Sequence, residues 1–118
     1  MSYRQWDVVL ASLDPVEGSE QGGTRPVLVV SNDEFNENLP NVTVIPLSGT
    51  SRDLYPSEVV MPAGTTGPQG RNSIAMAHQI RTISQRRIGK VLGQLKDEKL
   101  RKDVLDAIFD HLGYEVSP

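Results

Sequence analysis

Cysteine is absent from the 118-residue chain. That excludes a disulfide framework, a thiolate metal site and a cysteine nucleophile. Histidine occurs only as His78 and His111, so an all-histidine zinc site is excluded as well. No stretch approaches the ~20 apolar residues of a membrane span. The opening MSYRQWDVVLASL lacks the apolar core of a secretory signal and carries Asp7 early. These absences fit a cytoplasmic protein with no membrane contact. Internal repeats and low-complexity segments are also missing. A large excess of one charge is missing too: the net charge of −3 argues against a nonspecific nucleic-acid coat. What remains is an ordinary composition, 37% hydrophobic and 23% charged, in a length that predicts one domain over residues 1–118.

The small net charge conceals a pattern. Residues 1–38 carry Arg4 and Arg25 against seven carboxylates, a net −5. Residues 39–95 carry Arg52, Arg71, Arg81, Arg86, Arg87 and Lys90 against Asp53 and Glu58, a net +4. Residues 96–118 carry four cations against six acids, a net −2. The middle of the chain can therefore present a positive surface to a polyanion, or simply solvate its strand edges.

Hydrophobic patterning predicts strands first and one helix last. Trp6–Leu13 is apolar on both faces, as in a strand covered on both sides. Residues 14–24 form a glycine-rich loop, and Pro26–Val30 is a second strand. Asn32-Asp33 offers a cap for a helical turn near Glu34–Asn38. Val42–Leu47 is a third strand, with an edge or bulge at Pro46, which has no amide proton to donate. Glu58–Met61 and Ser73–Gln79 are the fourth and fifth, the latter carrying Ile74, Met76 and His78 on one face. A Gly/Pro-rich turn, Pro62–Gly70, separates them, and Gly89–Leu95 is a short last strand. Asp97 then caps a helix whose apolar residues Leu100, Val104, Leu105, Ile108, Phe109 and Leu112 recur at helical spacing, with Gly113 as its stop. This order predicts an α+β fold: a strongly bent antiparallel sheet or partly open barrel with a C-terminal packing helix.

If successive strands run antiparallel, one rim receives the 14–24 loop, Arg25, Ser48 and the segment His78–Arg81. An arginine, a hydroxyl, an imidazole and an amide then meet under one loop.

The run GSEQGGTRPVLVVSND, residues 18–33, resembles the signature loop and second strand of the MazF/PemK family of toxin endoribonucleases. DVVL (7–10), VIPLS (44–48) and QIRTI (79–83) fall in the family's order. The resemblance implies a small SH3-like barrel, a homodimer, cofactor- and metal-free cleavage of single-stranded RNA, and a cognate antitoxin partner. Arg25 falls on the family's catalytic arginine; its planar, permanently charged fork suits a phosphate. Ser48 stands where the family usually has threonine and keeps the hydroxyl; Thr50 or Ser51 could supply it in another register. His78 stands where many relatives have aspartate, and Met76 where those relatives have arginine. His78 is thus either a proton shuttle or a rim histidine with satisfied nitrogens. Glu20, Gln21 and Thr24 in the loop, with Arg52, Gln79, Arg81 and Arg86, are the candidate RNA contacts; Glu20 could also orient Arg25. Arg87 joins them as a candidate phosphate contact. Trp6, where relatives often have glycine, could stack on a base or anchor the core.

The residue inventory suits that chemistry. RNA supplies its own nucleophile, the 2′-hydroxyl beside the phosphorus. The protein then needs a proton acceptor, a proton donor and charge stabilisation, with His78, Glu20 and Asp53 as the candidate bases. Two alternatives share the fold: a protein-binding toxin like the CcdB gyrase poisons, and a homologue that binds RNA or antitoxin without cutting.

Overall fold

The computed structural model describes residues 2–49 and 52–115. The chain runs β1 (Asp7–Ser12), β2 (Thr24–Val29), α1 (Asp33–Asn38), β3 (Asn41–Ser48), β4 (Glu58–Met61), β5 (Ser73–Met76), β6 (Arg81–Ser84), β7 (Ile88–Gln94) and α2 (Glu98–His111). The seven strands form one antiparallel sheet in the order β4-β5-β3-β2-β1-β7, with β6 paired to β3. The α+β class expected from the strand-then-helix order is the one observed. Among the described residues no helix is long and apolar enough to cross a membrane.

The double-sided burial of the first strands has a direct cause. Alternate residues of a strand face opposite sides, and each side here meets its own core. Val8, Leu28, Ile45 and Leu47 join Trp6, Met61, Leu95 and the α2 residues Val104 and Ala107 on one side. Val9, Ala11, Leu13, Val27, Val29, Val42, Val44 and Ile83 form the second core. Trp6 is 8% exposed and belongs to the first core, with the Arg101 guanidinium 5.6 Å above its ring. Its φ is +76°, in the left-handed region that favours glycine.

Four expectations change on contact with the structure. The fifth strand ends at Met76, and Ala77–Gln79 close a single 3₁₀ turn, so His78 leaves the face shared by Ile74 and Met76. β6 follows at once; with four residues and only Ile83 buried, it offers too little pattern to be seen in advance. Pro46 pairs with Val27 inside the sheet, so β3 is no outer strand. Its other edge switches partner there, from β6 (through Val44) to β5 (from Leu47), so the absent amide falls in a break of the ladder. In α2 only Leu100, Val104, Ala107 and Ile108 pack on the core. Leu105, Phe109 and Leu112 are 37%, 38% and 66% exposed, because one narrow stripe is all the sheet covers. The helix ends hold as expected: the Asp97 carboxylate accepts from the Leu100 amide at 3.0 Å, and Gly113 takes φ +75°.

Candidate active site

The 14–24 loop is organised by its own backbone. The Leu13 amide donates to the Gly23 carbonyl at 3.0 Å, and the Gly23 amide donates to the Asp14 carboxylate at 3.0 Å. A Cβ at Gly22 would lie 2.7 Å from Asp14 Oδ1 and 2.8 Å from Val16 Cγ2, so any side chain there would displace Asp14 or Val16. The loop therefore delivers the Gly22 carbonyl to Arg25, whose Nε donates to it at 2.9 Å. Arg25 Nη1 donates to the Leu47 carbonyl at 3.4 Å. The guanidinium can only donate, so the Gln21 amide presents its oxygen and accepts from Nη2 at 2.6 Å and Nη1 at 2.9 Å. The Gln21 backbone amide in turn donates to Gln79 Oε1 at 3.2 Å.

Two more arginines reach the same rim. Arg81 Nη1 donates to the Leu13 carbonyl at 3.1 Å, and Arg87 Nη1 donates to the carbonyls of Ser12 and Asp14. Arg25, Arg81 and Arg87 are thus held by neutral oxygens. Among the described residues none of the three forms an ion pair. Three guanidinium charges without an ion-pair partner border one glycine-rich loop, an arrangement suited to an anion.

The other candidates are placed as follows. Ser48 ends β3, one residue beyond the carbonyl that holds Arg25; it is 7% exposed and pairs in register with Ile74. Thr24 starts β2 and is exposed, paired in register with Ser12. Glu20 caps its own loop, accepting from the Glu17 amide at 2.6 Å, so Gln21 and Gly22 supply the observed bonds that orient Arg25. Arg86 and Asp53 are exposed. Thr50 and Ser51 lie outside the described residues.

Arg52 and His78 meet elsewhere, at Glu58. The Glu58 side chain is 0% exposed. It accepts from Arg52 Nη1 at 2.7 Å and Nη2 at 2.8 Å, from the Tyr55 amide at 2.7 Å, and makes a 3.0 Å hydrogen bond with His78 Nε2. The Arg52 fork, aided by the Tyr55 amide and His78, holds the Glu58 carboxyl down at about 2 against the opposing effect of burial. The Arg52 guanidinium also stacks 4.3 Å over the Tyr55 ring. Glu58 is the functional candidate that sequence reasoning misses. Its one signal is a lone carboxylate at the head of the apolar strand EVVM, in the segment where cations outnumber acids.

Among the described residues no three histidine, aspartate or glutamate side chains are grouped to hold a metal ion.

Residues 4–110 match the family model of PemK-like, MazF-like toxins of type II toxin–antitoxin systems. The chain is similar to the endoribonuclease MazF of Staphylococcus saprophyticus, with 38% identity over 111 residues, 93% of this chain and 91% of that protein. Its fold resembles the crystal structure of MazF from Deinococcus radiodurans, with a TM-score of 0.83 at 25% identity, covering 96% and 98% of the two chains. It also resembles a mycobacterial endoribonuclease in complex with its cognate antitoxin, with a TM-score of 0.78 at 22% identity, covering 98% and 100%.

Proposed function

This chain belongs to the PemK/MazF family of type II toxin–antitoxin toxins, and from that premise we propose how it works as an endoribonuclease on single-stranded RNA. The observation that carries the proposal is the state of Arg25. Its fork is fixed by the oxygens of Gln21, Gly22 and Leu47, yet its charge has no carboxylate partner among the described residues. A preorganised, uncompensated guanidinium stabilises charge that builds up in a transition state, because its environment need not reorganise during the reaction.

The chemistry follows from the substrate. The 2′-oxygen attacks the adjacent phosphorus and gives up its proton. A bond forms from phosphorus to the 2′-oxygen, and the bond to the 5′-oxygen breaks. The departing oxygen takes up a proton from water in place of the one the 2′-oxygen released to water, leaving a 2′,3′-cyclic phosphate and a 5′-hydroxyl. Arg25 holds the non-bridging oxygens while charge accumulates on them. The Ser48 hydroxyl adds a hydrogen bond to the same phosphate. Gln79, Thr24, Arg81 and Arg86, with Arg87, guide the strand across the rim. The intramolecular nucleophile needs no metal-generated hydroxide.

The test is an RNA oligonucleotide with one 2′-deoxy substitution 5′ of the cut, incubated with excess EDTA beside the all-RNA control. An uncut substituted strand beside a fully cut control supports the mechanism. Cleavage of the substituted strand, or loss of all cleavage in EDTA, overturns it. A folded protein that cuts no RNA but arrests growth would favour the protein-binding alternative.

The same family membership supports a cognate antitoxin partner, a homodimeric assembly and residence in the cytoplasm. A monomer in sedimentation at micromolar concentration would refute the dimer.

A further inference from the structure

Glu58 has no place in the chemistry above, yet a fully buried carboxylate is costly to keep. Its two oxygens offer about four lone-pair sites, and four donors take them: both Arg52 terminal nitrogens, the Tyr55 amide and His78 Nε2. The carboxylate is therefore a hub. It ties the segment before β4 to the 3₁₀ turn Ala77–Gln79, and the Ala77 amide reinforces the tie by donating to the Ser57 carbonyl at 3.1 Å.

His78 and Gln79 are consecutive in that turn. A 3₁₀ turn advances three residues per revolution, so neighbouring side chains leave it in different directions. One of them, His78, is held by Glu58; the other, Gln79, holds the Gln21 amide at 3.2 Å. Gln21 in turn accepts both terminal nitrogens of Arg25. We infer that Glu58 is a positioning residue for RNA cleavage, acting through His78, Gln79 and Gln21 on the guanidinium of Arg25. This inference rests on the function proposed above. In it, His78 acts as a hydrogen-bonding strut to Glu58, and its proton is not used in the reaction.

The experiment compares full-length wild type with Glu58→Gln, His78→Ala and His78→Gln. Side-chain ¹⁵N spectra follow the Arg25 Nε–H resonance, assigned by its loss in Arg25→Ala. Cleavage of an RNA oligonucleotide gives kcat and KM. Glu58→Gln and His78→Ala shift or broaden the Arg25 resonance. They lower kcat by roughly 10- to 100-fold, the scale set by a misplacement near 1 Å, while KM stays within about threefold. His78→Gln keeps a donor near the Nε2 position but cannot shuttle a proton, and it restores both readouts. Glu58→Gln folded with an unmoved resonance and wild-type kcat overturns the inference. So does His78→Gln with kcat as low as His78→Ala, which would return His78 to the role of proton shuttle. If Glu58→Gln does not fold, the two His78 variants decide. A wild-type protein that cuts no RNA would defeat the function proposal, and the Arg25 resonance would still decide the positioning claim.

Discussion

Arg25 and Arg52 are the same side chain put to opposite uses. Arg52 forks onto a buried carboxylate, and its charge is cancelled within the fold. Arg25 is held with comparable care, but by amide and carbonyl oxygens, and its charge is left for something outside. The two differ in the sign of their partners and not in the number of their hydrogen bonds, and the proposed reactivity of Arg25 rests on that difference.

The largest separation of the two should come from Arg25→Ala. Losing the charge that stabilises the transition state costs roughly a hundredfold or more in cleavage rate. Because its partners are neutral oxygens, so that no buried charge is stranded, the melting temperature should stay near that of the wild type. A folded variant with near-normal cleavage would break the comparison.

Arg52→Ala should invert that pattern. It strands the Glu58 carboxylate in the interior, where removing one partner of a buried pair costs about 3 kcal/mol of stability. Arg52 is itself a quarter exposed, so water recovers part of that loss. Denaturant unfolding measures it; an unchanged midpoint would show that the pair contributes nothing.

Acid should sharpen the same contrast. The Glu58 carboxyl is lowered from an ordinary 4.5 to about 2 in the folded protein. Its ionised form therefore adds stability above about pH 4.5, and that share is lost as pH falls toward 2. Full loss amounts to roughly 3 kcal/mol at most. Unfolding followed from pH 6 to pH 2 should show this limb in wild type, and Arg52→Ala should shrink it, because without its largest cause the folded Glu58 value rises back toward 4.5. Identical acid limbs in the two proteins would contradict the role given to Arg52.

The smallest effect expected is at Ser48. Ser48→Thr keeps the hydroxyl and should hold cleavage within a few-fold, whereas Ser48→Ala should lose roughly tenfold if the hydroxyl bonds to phosphate. Equal rates for alanine and serine would transfer the role to Thr50 or Ser51, or remove it.

Sequence made part of this contrast legible. The glycine-rich loop ahead of Arg25, the strand hydrophobicity and the Asp97 cap are local signals, and each reads out where it stands. Strand counting also brings the loop, Arg25 and Gln79 to one rim, because antiparallel order fixes which strand ends share a side. The Glu58 hub is nonlocal. It joins residues 52, 55, 58 and 78, and nothing in the spacing of a lone glutamate says which cations will close on it. The direction of His78 was hidden for a related reason. A strand continued to Gln79 would place it beside Ile74 and Met76, and the single 3₁₀ turn that redirects it has no periodic signature. β6 shows a third limit, being a four-residue strand with one buried side chain.

Arg25 should offer an uncompensated charge to RNA phosphate while Arg52 does not. The salt dependence of binding tests it most directly. A non-cleavable oligonucleotide, 2′-deoxy at the scissile position, is titrated against wild type, Arg25→Ala and Arg52→Ala at several salt concentrations. On a single strand each phosphate contact contributes about 0.7 to the slope of log affinity against log salt. The slope should be shallower by about that amount in Arg25→Ala and unchanged in Arg52→Ala. An unchanged slope in Arg25→Ala, or a loss of slope in Arg52→Ala, would contradict it.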